Sequence, residues 1–168
     1  SPDTQGTVYA VSYVRSAALQ GIHLSIERVD VSAHEFIFYG VKAEIPDLPG
    51  IQFEGKSVHV ALKEFAPEEV FLREPTLTVQ GAYSDLRIEA TKWAATHRQA
   101  LSLPETLHDV RIESGRAVWG DVFGAGTTLS TDQIAFTAAK EGEGAFGDTF
   151  RLELQMLKLQ SGTATFGP

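Results

Sequence analysis

Apolar and polar residues alternate along most of this chain, the two-residue period of strands with one covered face. Ile22, Leu24 and Ile26 alternate with His23, Ser25 and Glu27, and Val29 and Val31 continue one residue out of phase, so a bulge is expected near Arg28. Val58, Val60 and Leu62 repeat the pattern, as do Leu77 with Val79, Leu86 with Ile88, Val110 with Ile112, Ile134 with Phe136, and Leu152 with Leu154 and Met156. Turn signals separate these runs: Pro46-Asp47-Leu48-Pro49-Gly50, Ser114-Gly115, Gly124-Ala125-Gly126, Gly142-Glu143-Gly144 and Ser161-Gly162. The pattern predicts a mainly β fold, a curled antiparallel meander forming an open groove or half-barrel, with one or two short helices. Val8, Val11, Val14, Ala17 and Ala18 fall on one helical face ahead of Gly21, a residue suited to ending a helix; a strand over Val8 to Val14 competes with this. Ala66-Pro67-Glu68-Glu69-Val70 reads as a single helical turn, with Pro and acids where an N-terminus favours them. Ala94 to Leu103 reads as a long connection.

The run Val110 to Gly120 matches Leu157 to Gly167 at a constant offset of 47 residues, with Ser114-Gly115 falling on Ser161-Gly162 and Trp119 on Phe166. Leu77-Thr-Val79-Gln-Gly81-Ala-Tyr83 is a cruder copy. Like units stacked along one axis are expected, with Gly115 and Gly162 in equivalent hairpin turns. The chain opens on Ser1 rather than Met, and its last unit stops at Pro168, so it reads as one domain cut from a longer repetitive protein.

Composition narrows the classes. At 168 residues, 43% hydrophobic and 21% charged, the chain can bury a sizeable core and is not globally disordered. A net charge of −8 argues against nucleic acid as a partner, which needs clustered Lys and Arg. The absence of cysteine removes thiol nucleophiles, disulfides and Cys-based zinc sites together. No run approaches the ~20 apolar residues of a membrane-spanning helix, and without Asn there is no N-glycosylation acceptor.

The sequence carries no motif of reactive chemistry. The histidines, His23, His34, His59, His97 and His108, lie singly and without metal-ligand spacing; His34-Glu35 opens like a zinc-protease motif, but the second His position holds Phe38. Gly142-Glu-Gly144-Ala-Phe-Gly147 has the spacing of a dinucleotide fingerprint, yet strand-like residues follow where a helix is needed, so it reads as a hairpin loop. No carboxylate pair stands out among 22 acids. No catalysis, metal or cofactor is expected. Trp93, Trp119, Phe53, Phe65, Phe123, Phe146 and Phe166 either pack in the core, the commoner role, or act as interface or lipid contacts.

The order of elements resembles the N-terminal region of the AsmA-like proteins, a group that includes TamB-type envelope proteins of Gram-negative bacteria. The likeness is carried by Tyr13-Val14-Arg15-Ser16-Ala17-Ala18 leading into Gly21 to Val31, by Phe53-Glu-Gly-Lys56-Ser57-Val58-His-Val60-Ala-Leu62, and by Val70-Phe-Leu-Arg-Glu74-Pro75-Thr-Leu77-Thr-Val79. The resemblance implies a periplasmic protein whose curled sheet carries acyl chains of phospholipid or another lipid between membranes. It also implies envelope protein partners and anchoring, if any, by a helix outside this chain; the stretch from Ala94 to Leu103 has no counterpart in it. Ile22, Leu24, Ile26, Val58, Val60, Leu77, Val79, Ile88 and Ile112 are the expected lipid-facing residues. A closed β-sandwich that binds other envelope or secretion proteins is the alternative, since an apolar sheet face needs a second sheet, a helix or a ligand over it.

Overall fold

A computed structural model describes residues 2–98, 105–144, 147–155, 158–161 and 164–166. Helix α1 (Pro2–Leu19) leads into β1 (His23–Ser25), β2 (Arg28–Val31), β3 (Glu35–Ile45), β4 (Leu48–Lys63) and β5 (Ala66–Gln80). Helix α2 (Tyr83–Thr96) follows, then β6 (Asp109–Gly120), β7 (Thr128–Gly144), β8 (Gly147–Gln155), β9 (Lys158–Ser161) and β10 (Ala164–Phe166). The ten strands form one open sheet in the order β1, β3, β4, β5, β6, β7, β9, β10, with β2 on β3 and β8 on β7 beside that path. The fold is mainly β and antiparallel-dominated, not closed into a barrel. No second sheet is formed among the described residues.

Helix α1 ends as its sequence requires. Gly21 takes a φ of 76°, its N–H donates to the Ala18 carbonyl at 3.1 Å, and the Ile22 N–H donates to the Ala17 carbonyl at 2.8 Å. These two bonds satisfy two of the last helical carbonyls, those of Ala17 and Ala18, and turn the chain into β1. A Cβ at Gly21 would also meet His97 Nε2 at 2.9 Å, so glycine lets the end of α1 approach α2.

Three expectations are overturned. Leu86 and Ile88 lie on α2 rather than on a strand. A two-residue alternation is too short to exclude a helix, and the longer window decides: Leu86, Ala90, Trp93, Ala94 and His97 recur at helical spacing and are its more buried positions. Ala66 to Val70 opens β5 instead of forming a helical turn. Pro67 is tolerated there because it sits at a register shift opposite Leu62, before the pairing with β6 begins at Glu69. Finally, the sheet is not a pure meander, since β5 and β6 pair in parallel across the α2 connection.

The two members of the 47-residue match differ in local structure where both are described. Ser114-Gly115 interrupts the single strand β6, whereas Ser161 ends β9 and pairs with Ala164 of β10; Gly162 lies outside the described residues. At the first site Ser114, not glycine, has the positive φ of 54°. Gly115 is small for a different reason: a Cβ there would press on Ile112 and Ile134 at 3.1–3.2 Å.

That interruption belongs to a feature that crosses the sheet. Pairing skips Gly40 opposite Lys56, Lys56 opposite Glu74, and Glu74-Pro75 opposite Ser114-Gly115 without a change of register, and between β6 and β7 the register shifts beside Gln133. Gly40, Glu74, Ser114 and Gln133 all have φ between 48° and 60°. On one flank the seam meets the break between β1 and β2 at Ile26-Glu27, where the apolar alternation changes phase while the register to β3 is kept, so no bulge with an extra residue forms; on the other it meets the division between β9, which pairs β7 up to Asp132, and β8, which pairs it from Ala135. The apolar alternation changes phase there while the register between β3, β4, β5 and β6 is kept, and a left-handed residue lies in the break on β3, β5, β6 and β7.

Candidate functional site

The phase change determines which residues share a face. Residues in register across neighbouring strands project to the same side. On one side of the seam, Val31, Phe36, Val60, Val70, Val110 and Ala138 form one continuous row, and Val29, Phe38, Val58, Leu72, Ile112, Phe136 and Leu154 form the next. Beyond the seam the apolar row is Leu24, Ala43, Phe53, Leu77 and Ala117, joined by Ile51, Val79, Trp119 and Leu129. Leu24, Val41 and Phe53 pack with Phe36, Phe38 and Val60, so both halves present their apolar residues on one face of the sheet at its β1–β4 end. Without the seam, the rows on one side would point to the opposite face.

The opposite face is charged. It carries the rows Glu35, Ala61, Glu69, Asp109 and Ile37, His59, Phe71, Arg111 on one side of the seam, and Lys42, Glu54, Thr76, Arg116 on the other. Lys42 pairs with Glu54 at 3.9 Å and Arg116 with Asp132 at 2.9 Å. A hollow of about 310 Å³ opens around Ala61, where His59 Nδ1 donates to Glu35 Oε1 at 2.9 Å and the Arg111 guanidinium lies 6.0 Å from the Phe71 ring centre. Among the described residues no three His, Asp or Glu side chains converge as a metal site would need.

On the apolar face, α1 covers the β1–β3 flank and Tyr13 meets Phe38 edge-on at 5.4 Å. Beside that contact lies a hollow of about 340 Å³ lined by Tyr13, Leu24, Ile26, Phe38, Val41, Val58, Val60, Pro67, Val70 and Leu107. Leu107 is held by neighbours of its own segment: Thr106 Oγ1 donates to the Pro67 carbonyl at 2.6 Å and the His108 N–H to the Glu68 carbonyl at 2.8 Å. No charged side chain lines the hollow, so its only complement is an apolar group. The rows then continue past it over β6, β7 and β8, where Leu154 is 59% exposed.

The expected lipid-facing residues divide accordingly. Leu24, Ile26, Val58 and Val60 line the hollow together. Ile112 lies further along the same row, and Leu77 and Val79 lie beyond the seam. Ile22 precedes β1 at the end of α1, and Ile88 is apart from the sheet on the solvent side of α2, 52% exposed. Sequence reasoning missed Phe38, Val41, Val70 and Leu107. Phe36 and Phe38 alternate as a strand should, but Val41 is out of phase with them across Gly40, and the helical reading of Pro67 hid Val70. The aromatics also divide: Trp93 is buried and Phe53 packed, Phe65 and Phe123 are exposed, and Phe146 lies outside the described residues.

Scanned against protein-family models and searched against curated proteins, the chain matches none. Among the described residues no helix is long and apolar enough to cross a membrane.

Proposed function

We propose that the apolar face of this open sheet holds the acyl chains of phospholipid or a similar lipid, and that the protein is an AsmA-like component of lipid transport between the inner and outer membranes. One observation carries the reading: two apolar rows run from the hollow beneath α1 over β6 and β7, where their side chains are half-buried, and one of them goes on to Leu154 of β8, 59% exposed. A face of this kind is costly in water and is stabilised by about 0.8 kcal/mol for each methylene that settles on it. The hollow under α1 supplies a preformed end for the chain to enter, and the charged opposite face stays in solvent. Residence in the periplasm, envelope partners and anchoring by a preceding segment belong to the same proposal and rest on the resemblance in sequence.

Native mass spectrometry of the purified chain tests it. The expected result is a phospholipid adduct that organic extraction removes and incubation with lipid restores. A delipidated protein that takes up no lipid, while remaining monodisperse and folded, would contradict the proposal.

A further inference from the structure

The hairpin joining β4 to β5 has a two-residue loop, Glu64-Phe65, between Lys63 and Ala66, which pair with each other. Both loop residues have positive φ, 52° and 66°, the primed turn that Asn-Gly forms at least cost. Here the second position holds an aromatic instead, and its side chain is 91% exposed, the highest value among the exposed large apolar residues. The ring therefore adds almost nothing to the core, and the backbone beneath it is in a conformation that side chains disfavour. Two residues on, Pro67 lines the apolar hollow.

We propose that this tip is where the protein touches a bilayer, with Phe65 entering the headgroup region of a zwitterionic membrane at the end of the hollow. The inference rests on the proposed function in that a carrier of acyl chains must meet a membrane to load. An aromatic ring on a short rigid stalk is the side chain that favours such an interface, and Lys63 beside it can extend its charge outward. The rest of the surroundings decide the lipid class. Glu64, Glu68 and Glu69, on a chain of net charge −8, repel an anionic surface and limit insertion to a shallow depth.

The test uses Phe65→Trp and Phe65→Asn in the full chain, with phosphatidylcholine vesicles carrying a nitroxide-labelled lipid. Trp93 and Trp119 supply a background that the parent protein measures. The F65W protein should gain emission that vesicles blue-shift and quench beyond that background. Phe65→Asn suits the turn, so the protein should fold at least as well as the parent, yet bind vesicles roughly threefold to tenfold less tightly. Absence of extra quenching in F65W, or unchanged vesicle binding by F65N, overturns the proposal. Tighter binding when phosphatidylglycerol is added overturns the zwitterionic assignment. Binding of monomeric lysophosphatidylcholine, measured alongside, reports on the hollow alone: its loss with quenching intact counts against the acyl-chain reading and not against the tip.

Discussion

The same apolar rows have opposite fates at their two ends. Near β3, Phe38 is 5% exposed, pressed by Tyr13 of α1 and grouped with Phe36, Val41 and Val60 in the buried core. Five strands further along the same row, Leu154 of β8 is 59% exposed. The side chains are of one kind and the alternation is the same, so the difference comes from what lies above them. A helix covers one end, while the row is half-buried on β7 and exposed at Leu154 on β8. Alternation in a sequence therefore marks a face, and coverage decides whether that face is core or surface.

Carboxylates placed at the two ends should separate them most. Val60→Asp puts an unpaired charge into packed protein, at a cost of several kcal/mol against a total of roughly 5 to 15, and should unfold the domain in a thermal melt. Leu154→Asp should change stability by about 1 kcal/mol or less and leave a folded protein with reduced lipid uptake. Cavity-forming changes should repeat the contrast at smaller scale: Phe38→Ala is expected to cost about 3–5 kcal/mol in denaturant titration, and Phe136→Ala, half-buried on β7, about 1–2. If the two cost the same, the β7 end is covered as well as the β3 end.

The seam between the halves gives the next effect. Ser114 has a φ of 54°, so Ser114→Gly should stabilise by up to about 1 kcal/mol while Ser114→Val destabilises by about 1–2. Equal melting temperatures for both would show that the seam does not depend on the left-handed residue. The smallest effect belongs to Lys56 and Glu74, paired at 3.0 Å across the seam with both side chains more than half exposed. Lys56→Ala should change stability by no more than about 0.5 kcal/mol, a difference that 1 M salt removes.

Much of this architecture is visible in the linear pattern. The strand class, the helix ending at Gly21 and the phase slip near Arg28 follow from alternation and from glycine, because each is set by residues close in sequence. The rest of the seam shows no such signal. In β5 the slip separates Val70 and Leu72 from Leu77 and Val79, and Glu74-Pro75 between them resembles a strand boundary. Only the register with β4 and β6 identifies it as the same break found in its neighbours. The parallel pairing of β5 with β6 is likewise long-range, and α2 was hidden by two apolar residues spaced like a strand. Of the site, Val58 and Val60 declared themselves by alternation. Leu107 did not, since it joins the hollow through a connection that hydrogen-bonds beside Pro67.

The two faces of the same strands should differ in their contact with lipid. A photoreactive phenylalanine analogue placed at Phe136 or Leu154, and in separate variants at Thr137 or Glu153 on the charged face, can be irradiated after the protein has been loaded with radiolabelled phospholipid. Lipid adducts are expected at the first pair and essentially none at the second. Equal labelling of both faces, or labelling confined to Thr137 and Glu153, would contradict an acyl-chain surface built from the apolar rows.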